Sequence, residues 1–117
     1  MNFKIYAKPR ISESSIDVIE GQRYSFKATG TWVDMFIPCS ADGWKLKKVL
    51  GKEPRMKGVP FFKLCGNISN DEDSFDFPIG KELLSYEIPI SGTLRFFAND
   101  IYYWNNWGKM KLEIEED

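Results

Sequence analysis

The run "KMKLEIEE" (109–116) permits one regular conformation. Met110, Leu112 and Ile114 alternate without a break with Lys109, Lys111, Glu113 and Glu115. Side chains reverse face at every residue only in an extended strand, so this period sends three apolar groups to a core and four charges to water. A helix would scatter the same residues around its circumference. The period recurs upstream with turn chemistry between the runs. Ile16 and Val18 point inward before a turn at Glu20-Gly21-Gln22, and Tyr24, Phe26 and Ala28 point inward up to Gly30. "TWVDMFIP" reads as a further strand ending at Pro38, and Asp42-Gly43 is a turn. Phe61–Cys65 and a short segment from Phe75 follow, then Leu84, Tyr86 and Ile88 on one face and Leu94, Phe96 and Ala98 on another.

About eight short strands over one domain, residues 1–117, predict an all-β antiparallel sandwich of jelly-roll-like build. The aromatic content of 15% suits strands. "GWKLKKVLGKEP" breaks the pattern and is read as an irregular excursion holding one short helical turn. No apolar run approaches the roughly 20 residues of a membrane span, and the first ten residues lack a leader's apolar centre. The expectation is a protein that does not insert in membranes and is cytoplasmic, exported without a cleaved leader, or stripped of one. Cys39 and Cys65 could pair or stay reduced.

Charge and missing residues narrow the chemistry. The net charge of −1 gives no global attraction to nucleic acid or an anionic surface. The distribution is uneven, with Lys45, Lys47, Lys48, Lys52, Arg55, Lys57 and Lys63 against Glu53 alone, and Glu113, Glu115, Glu116 and Asp117 closing the chain. Both runs are read as solvated surface. The chain has no histidine, which removes the commonest general base and the commonest zinc ligand. No phosphate loop is present, and no spacing singles out a carboxylate pair, so the expectation is a binding protein and not an enzyme. "NDEDSFD" (70–76) lacks the glycine and distal glutamate of a calcium-hand loop and reads as a solvated acidic loop.

"NDIYYWNNW" (99–107) is the unusual segment. Loops run over the surface, so its rings either plug the core or form a binding face. Asp100, Asn105 and Asn106 flank "IYYW", and a hairpin loop of that length can bring these oxygens together with backbone carbonyls in calcium-type coordination. The same residues could equally satisfy turn backbone.

"GTLRFFAND…NNWGKMKLEI", with "VIEGQRYSFKATGTW", "SADG" and "LCGNIS…FPIG" in order before it, resembles the bacterial calcium-dependent galactose-binding lectins of the PA-I type. The resemblance implies a galactose-binding-domain-like sandwich. It also implies calcium held by the side chains of Asp100, Asn105 and Asn106 and by the carbonyls of Tyr102 and Met35. The implied ligand is a galactose-like glycan, bound at Asp100 and Asn105 beside the rings of Tyr103, Trp104 and Trp107. Here the loop is two residues shorter than in the sugar-binding members, and their sugar-contacting histidine is absent. Weak single sites need several copies for avidity, which leaves a homo-oligomer open. The alternative is a protein-interaction or structural module that has kept the sandwich without the sugar.

Overall fold

The computed structural model describes all residues, Met1–Asp117. Nine strands form two antiparallel sheets, with no helix. They are β1 (Asn2–Tyr6), β2 (Ile16–Val18), β3 (Arg23–Asp34), β4 (Ile37–Cys39), β5 (Leu64–Ser69), β6 (Ser74–Pro78), β7 (Glu82–Glu87), β8 (Gly92–Ala98) and β9 (Asn106–Glu116). One sheet runs β1-β9-β3-β4, with β7 also paired to β3, and the other runs β2-β8-β5-β6. The all-β sandwich expected from the alternation is what forms.

The longest pairing is β3 with β9, from Tyr24 opposite Glu116 to Asp34 opposite Asn106. Its inward residues, Tyr24, Phe26, Ala28 and Trp32 from β3 and Met110, Leu112 and Ile114 from β9, are all buried. The second sheet answers with Leu64, Ile68, Leu94 and Phe96, none of which is exposed. Trp32 joins the layers, its ring edge-on to Phe62 at 5.3 Å and its Nε1 donating to the Phe62 carbonyl at 3.1 Å. Burying each such side chain contributes about 1.5–3 kcal/mol, so the core is self-sufficient.

Several local expectations change. The strand expected to end at Gly30 passes through it, with Gly30 bent at φ 120°, so "TWVDMFIP" is the end of β3, a two-residue turn and β4. Leu84 faces solvent and Leu83 packs on the core. A register shift between Tyr24 and Phe26 sets Leu83 opposite Phe26, and Ser85 takes a φ of 48°. Phe61 and Phe62 are buried but lie in a turn, because the Phe62 amide donates to the Asn99 carbonyl at 2.6 Å and leaves the sheet direction. The helical turn expected between Trp44 and Pro54 is absent, since residues 40–63 form successive tight turns. Ile16 is only half-buried. An unforeseen β1 pairs with β9. Both cysteines are free, and burial pushes each thiol up to about 12.

The turn 35–36, the excursion 40–63 and the loop 99–105 lie at one end of the sandwich, because β3 and β8 finish there and β4, β5 and β9 start there.

Gly66 shows how tightly the second sheet is filled. A Cβ there would lie 2.5 Å from Cζ of Phe77, whose ring is stacked 4.4 Å from Tyr86. Gly66→Ala is expected to cost about 2 kcal/mol through overpacking, lowering Tm by roughly 8 °C in scanning calorimetry.

Candidate functional site

The loop after β8 is built on Asn99, a fully buried carboxamide. Its Oδ1 accepts from the Met56 amide at 2.7 Å, and its Nδ2 lies 3.2 Å from each of the Met56, Val59 and Pro60 carbonyls. Arg55 ties the same excursion down a second way. Its amide donates to the Asp100 carbonyl at 3.2 Å, its guanidinium forks onto Asp76 with both contacts at 3.0 Å, and it lies 3.9 Å over the Phe97 ring. Arg55, read from the sequence as solvated, is therefore a structural cation. The irregular segment 44–62 is held against the loop that begins at Asp100.

Between them opens a cavity of about 220 Å³ lined by Asp34, Asp100, Asn105, Trp44, Leu50 and Tyr102, among others. A larger concavity of about 440 Å³ crosses the outer face of β1, β9 and β3. It contains no buried polar atom lacking a partner, whereas the smaller one contains both such atoms in the molecule, Asp100 Oδ2 and Trp44 Nε1. Buried polar atoms without partners are rare and costly, so the smaller cavity is the candidate site.

Its floor is a cluster of oxygens. One terminal atom of the Asn105 carboxamide lies 3.2 Å from Asp34 Oδ1, 3.1 Å from the Tyr102 carbonyl and 3.1 Å from Asn106 Oδ1. If that atom is nitrogen, two hydrogens serve three acceptors. The other terminal atom of the carboxamide faces only donors, so nitrogen belongs in the cluster; turning the carboxamide over would present an oxygen to a cation instead. Asn106 is fixed by donation from Nδ2 to the Ala7 carbonyl at 3.0 Å, and Asp100 Oδ1 accepts from the Ile101 amide at 2.7 Å. Burial, and then the neighbouring Asp100 carboxylate, pushes the Asp34 carboxyl up to about 6; burial also raises Asp100. Two desolvated carboxylates, two carboxamides and a carbonyl are the donor set of a hard divalent cation such as calcium. The residues fit that ion.

Asp100, Asn105, Asn106 and the Tyr102 carbonyl thus come together as the sequence suggested. Met35 adjoins them, its amide donating to the Asn105 carbonyl at 2.9 Å. Asp34 was missed: it shares the inward face of Trp32, but a lone aspartate at a strand end carries no ligand signal in the sequence. Its position opposite Asn106 appears only with the β3–β9 register.

The rings divide otherwise than expected. Tyr103, expected beside a sugar, is buried in the core with its hydroxyl donating to the Ala98 carbonyl at 2.7 Å. It is the plug. Trp104 and Trp107 are exposed at the same end but outside the cavity, with Lys8 Nζ 4.7 Å over the Trp107 ring. The rings that line the cavity are Tyr102, whose hydroxyl accepts from Lys52 Nζ at 3.0 Å, and the stacked pair Trp44 and Phe61, 5.7 Å apart.

No protein-family model matches the sequence, and no curated protein does. Among solved structures the chain is similar to one described as "EclA N-terminal domain; PllA-like lectin", with a TM-score of 0.66 at 16% identity, over 99% of this chain and 95% of that one. At that identity the likeness is one of fold.

The raised Asp34 pKa carries a sign. An acid that holds its proton more tightly folded than unfolded destabilises the fold as pH rises between the two values. In chelator, Tm should therefore fall from about pH 4 to about pH 6, the window set by the ordinary value of 3.8 and the folded value near 6. Asp34→Asn should remove most of that decline in a pH series of melting curves.

Proposed function

We propose that the chain is a non-catalytic carbohydrate-binding domain that takes a neutral, galactose-like hexose with the help of calcium. The observation that carries the reading is one cavity joining a cluster of two carboxylates, two carboxamides and a carbonyl to aromatic rings. Asp34, Asp100, Asn105, Asn106 and the Tyr102 carbonyl would hold the ion. Calcium, when bound, supplies coordination to vicinal hydroxyls. The protein's own part is to orient the sugar. The Tyr102 ring, steadied by Lys52, offers an apolar face to sugar C–H groups, and Trp44 adds a second ring to the wall. The volume lies below the roughly 300 Å³ at which drug-sized pockets begin, which suits one terminal sugar. The lectin description of the similar structure supports the same reading.

Calcium binding to the folded state alone stabilises it by about 2.7 kcal/mol at a hundredfold excess over Kd. Tm should rise with calcium and return with chelator, and Asp100→Ala should abolish the response. A melting curve indifferent to millimolar calcium overturns the ion.

Few apolar contacts are available to one hexose, so Kd per site should lie in the range of roughly 0.1–1 mM. Galactose titrated with calcium present should change tryptophan fluorescence through Trp44. Tyr102→Ala should remove that change while leaving the calcium-induced rise in Tm. Silence toward every simple hexose overturns the sugar and favours the protein-interaction reading.

A further inference from the structure

The end of the sandwich that carries the cavity also carries features no sugar site needs. Most of the exposed large hydrophobic side chains gather there, among them Phe36 at 87%, Leu50 at 97% and Trp104 at 70% exposure, with Met35, Leu46 and Tyr102 about half exposed. Two of them stand on tight turns built from the wrong residues. Val49 and Lys52 exchange both backbone hydrogen bonds at 2.9 Å around Leu50-Gly51, whose φ angles of 49° and 77° mark a type I′ hairpin turn. Such turns favour Asn, Asp or Gly at the position Leu50 holds. Met35, at φ 58°, opens the Met35-Phe36 turn between β3 and β4. In each case backbone strain is accepted to hold a large apolar side chain in solvent, and strain of that kind clusters at functional loops.

Charge is sorted along the same axis. The excursion carries Lys45, Lys47, Lys48, Lys52 and Lys57, all exposed, against Asp42 and Glu53. The only ion pairs in the molecule, Arg23–Glu87 and Arg55–Asp76, involve none of them. The opposite end holds the exposed acidic loop Asp71–Asp73 and the acidic terminus of β9. A net charge of −1 therefore conceals a basic pole and an acidic pole.

We propose that the basic pole docks peripherally on an anionic lipid bilayer, with Phe36, Leu50 and Trp104 entering the headgroup layer and the lysines lying against lipid phosphates and carboxylates. Separate apolar tips ringed by lysine match an interfacial layer that is apolar beneath and negative above, and tryptophan favours that depth. A single-stranded nucleic acid fits less well. It is held by a continuous positive groove with successive stacking rings, whereas here Arg55 is tied to Asp76, Arg10 lies over Tyr103, and the tips stand on separate turns, with the aliphatic Leu50 among them. The docking needs neither sugar nor ion, and no helix of the chain is long and apolar enough to cross a membrane.

The test is cosedimentation of the whole chain with sugar-free vesicles of phosphatidylcholine alone or mixed with phosphatidylserine, in chelator. The protein should pellet with the mixed vesicles and far less with phosphatidylcholine, and added salt should weaken binding. Tryptophan emission should move to shorter wavelength on binding. Phe36→Ser, at an exposed turn outside the cavity, should weaken binding about tenfold with an unchanged melting curve. Lys47→Glu combined with Lys48→Glu should weaken it by at least about fivefold per lysine. The proposal is overturned if the protein stays in solution with mixed vesicles, or if Phe36→Ser binds them equally. It is also overturned if an oligonucleotide captures the chain where vesicles do not, or if Phe36→Ser only splits a dimer seen by sedimentation velocity. Because the vesicles carry no sugar, this result and the hexose titration stand or fall separately.

Discussion

A buried carboxamide must find partners for its oxygen and both hydrogens, and Asn99 finds them all in one irregular segment. Residues 44–62 contain no regular element and one isolated bridge between Val49 and Lys52, so these bonds, with the Arg55 contacts and the buried Phe61 and Phe62, are what fix them. With them, a run of turns becomes a wall. Met56, Val59 and Pro60 are drawn onto the end of β8, Arg55 locks onto Asp76 and Phe97, and Trp44, Leu50 and Lys52 are carried to the rim of the cavity. Losing a buried amide here leaves several carbonyls without donors, each costing about 1–3 kcal/mol. The cavity therefore depends on a residue that does not line it.

The second constraint is the pair of desolvated carboxylates. Asp34 ends β3 and Asp100 lies in the loop after β8; the Ile101 and Tyr102 amides and the Asn106 carboxamide offset part of the desolvation of Asp100, while Asp34 has the Asp100 carboxylate beside it. Such a group destabilises a fold at neutral pH unless something positive joins it. The nearest basic side chain on the cavity wall, Lys52, turns instead to the Tyr102 hydroxyl. The remaining cost is met in part by the proton that Asp34 keeps up to about pH 6, and the proposed cation would meet it more fully.

The aromatic loop resolves into two roles set by neighbouring residues. Tyr103 turns inward, where the Ala98 carbonyl accepts its hydroxyl, and seals the core beneath the loop. Tyr102 and Trp104, on either side, remain outside, one on the cavity wall and one at the exposed tip. Plug and display coexist because Tyr103 opens a tight turn, its carbonyl accepting from the Asn106 amide at 3.1 Å, and Trp104 stands at the tip of that turn. The hydrophobic tips and lysines at this end add the proposed bilayer engagement to the same end of the sandwich, and the acidic pole opposite would orient it.

Period-two alternation was enough to determine the sandwich, the inward faces of β3, β8 and β9, and the absence of a helical core, because burial of alternate side chains is a local code. The grouping of Asp100, Asn105 and Asn106 was also legible, since one short loop connects them. The sequence could not place Asp34, whose neighbour Asn106 is 72 positions away and arrives only through the β3–β9 register. Nor could it choose which rings face the cavity, foresee that Leu83 replaces Leu84 in the core, or show that the lysines and the acidic segments occupy opposite poles. Those outcomes depend on pairing register, a bulge and a buried amide, which are long-range constraints. A pattern read along the chain contains the faces of its strands, but only tertiary contacts decide which faces and loops meet.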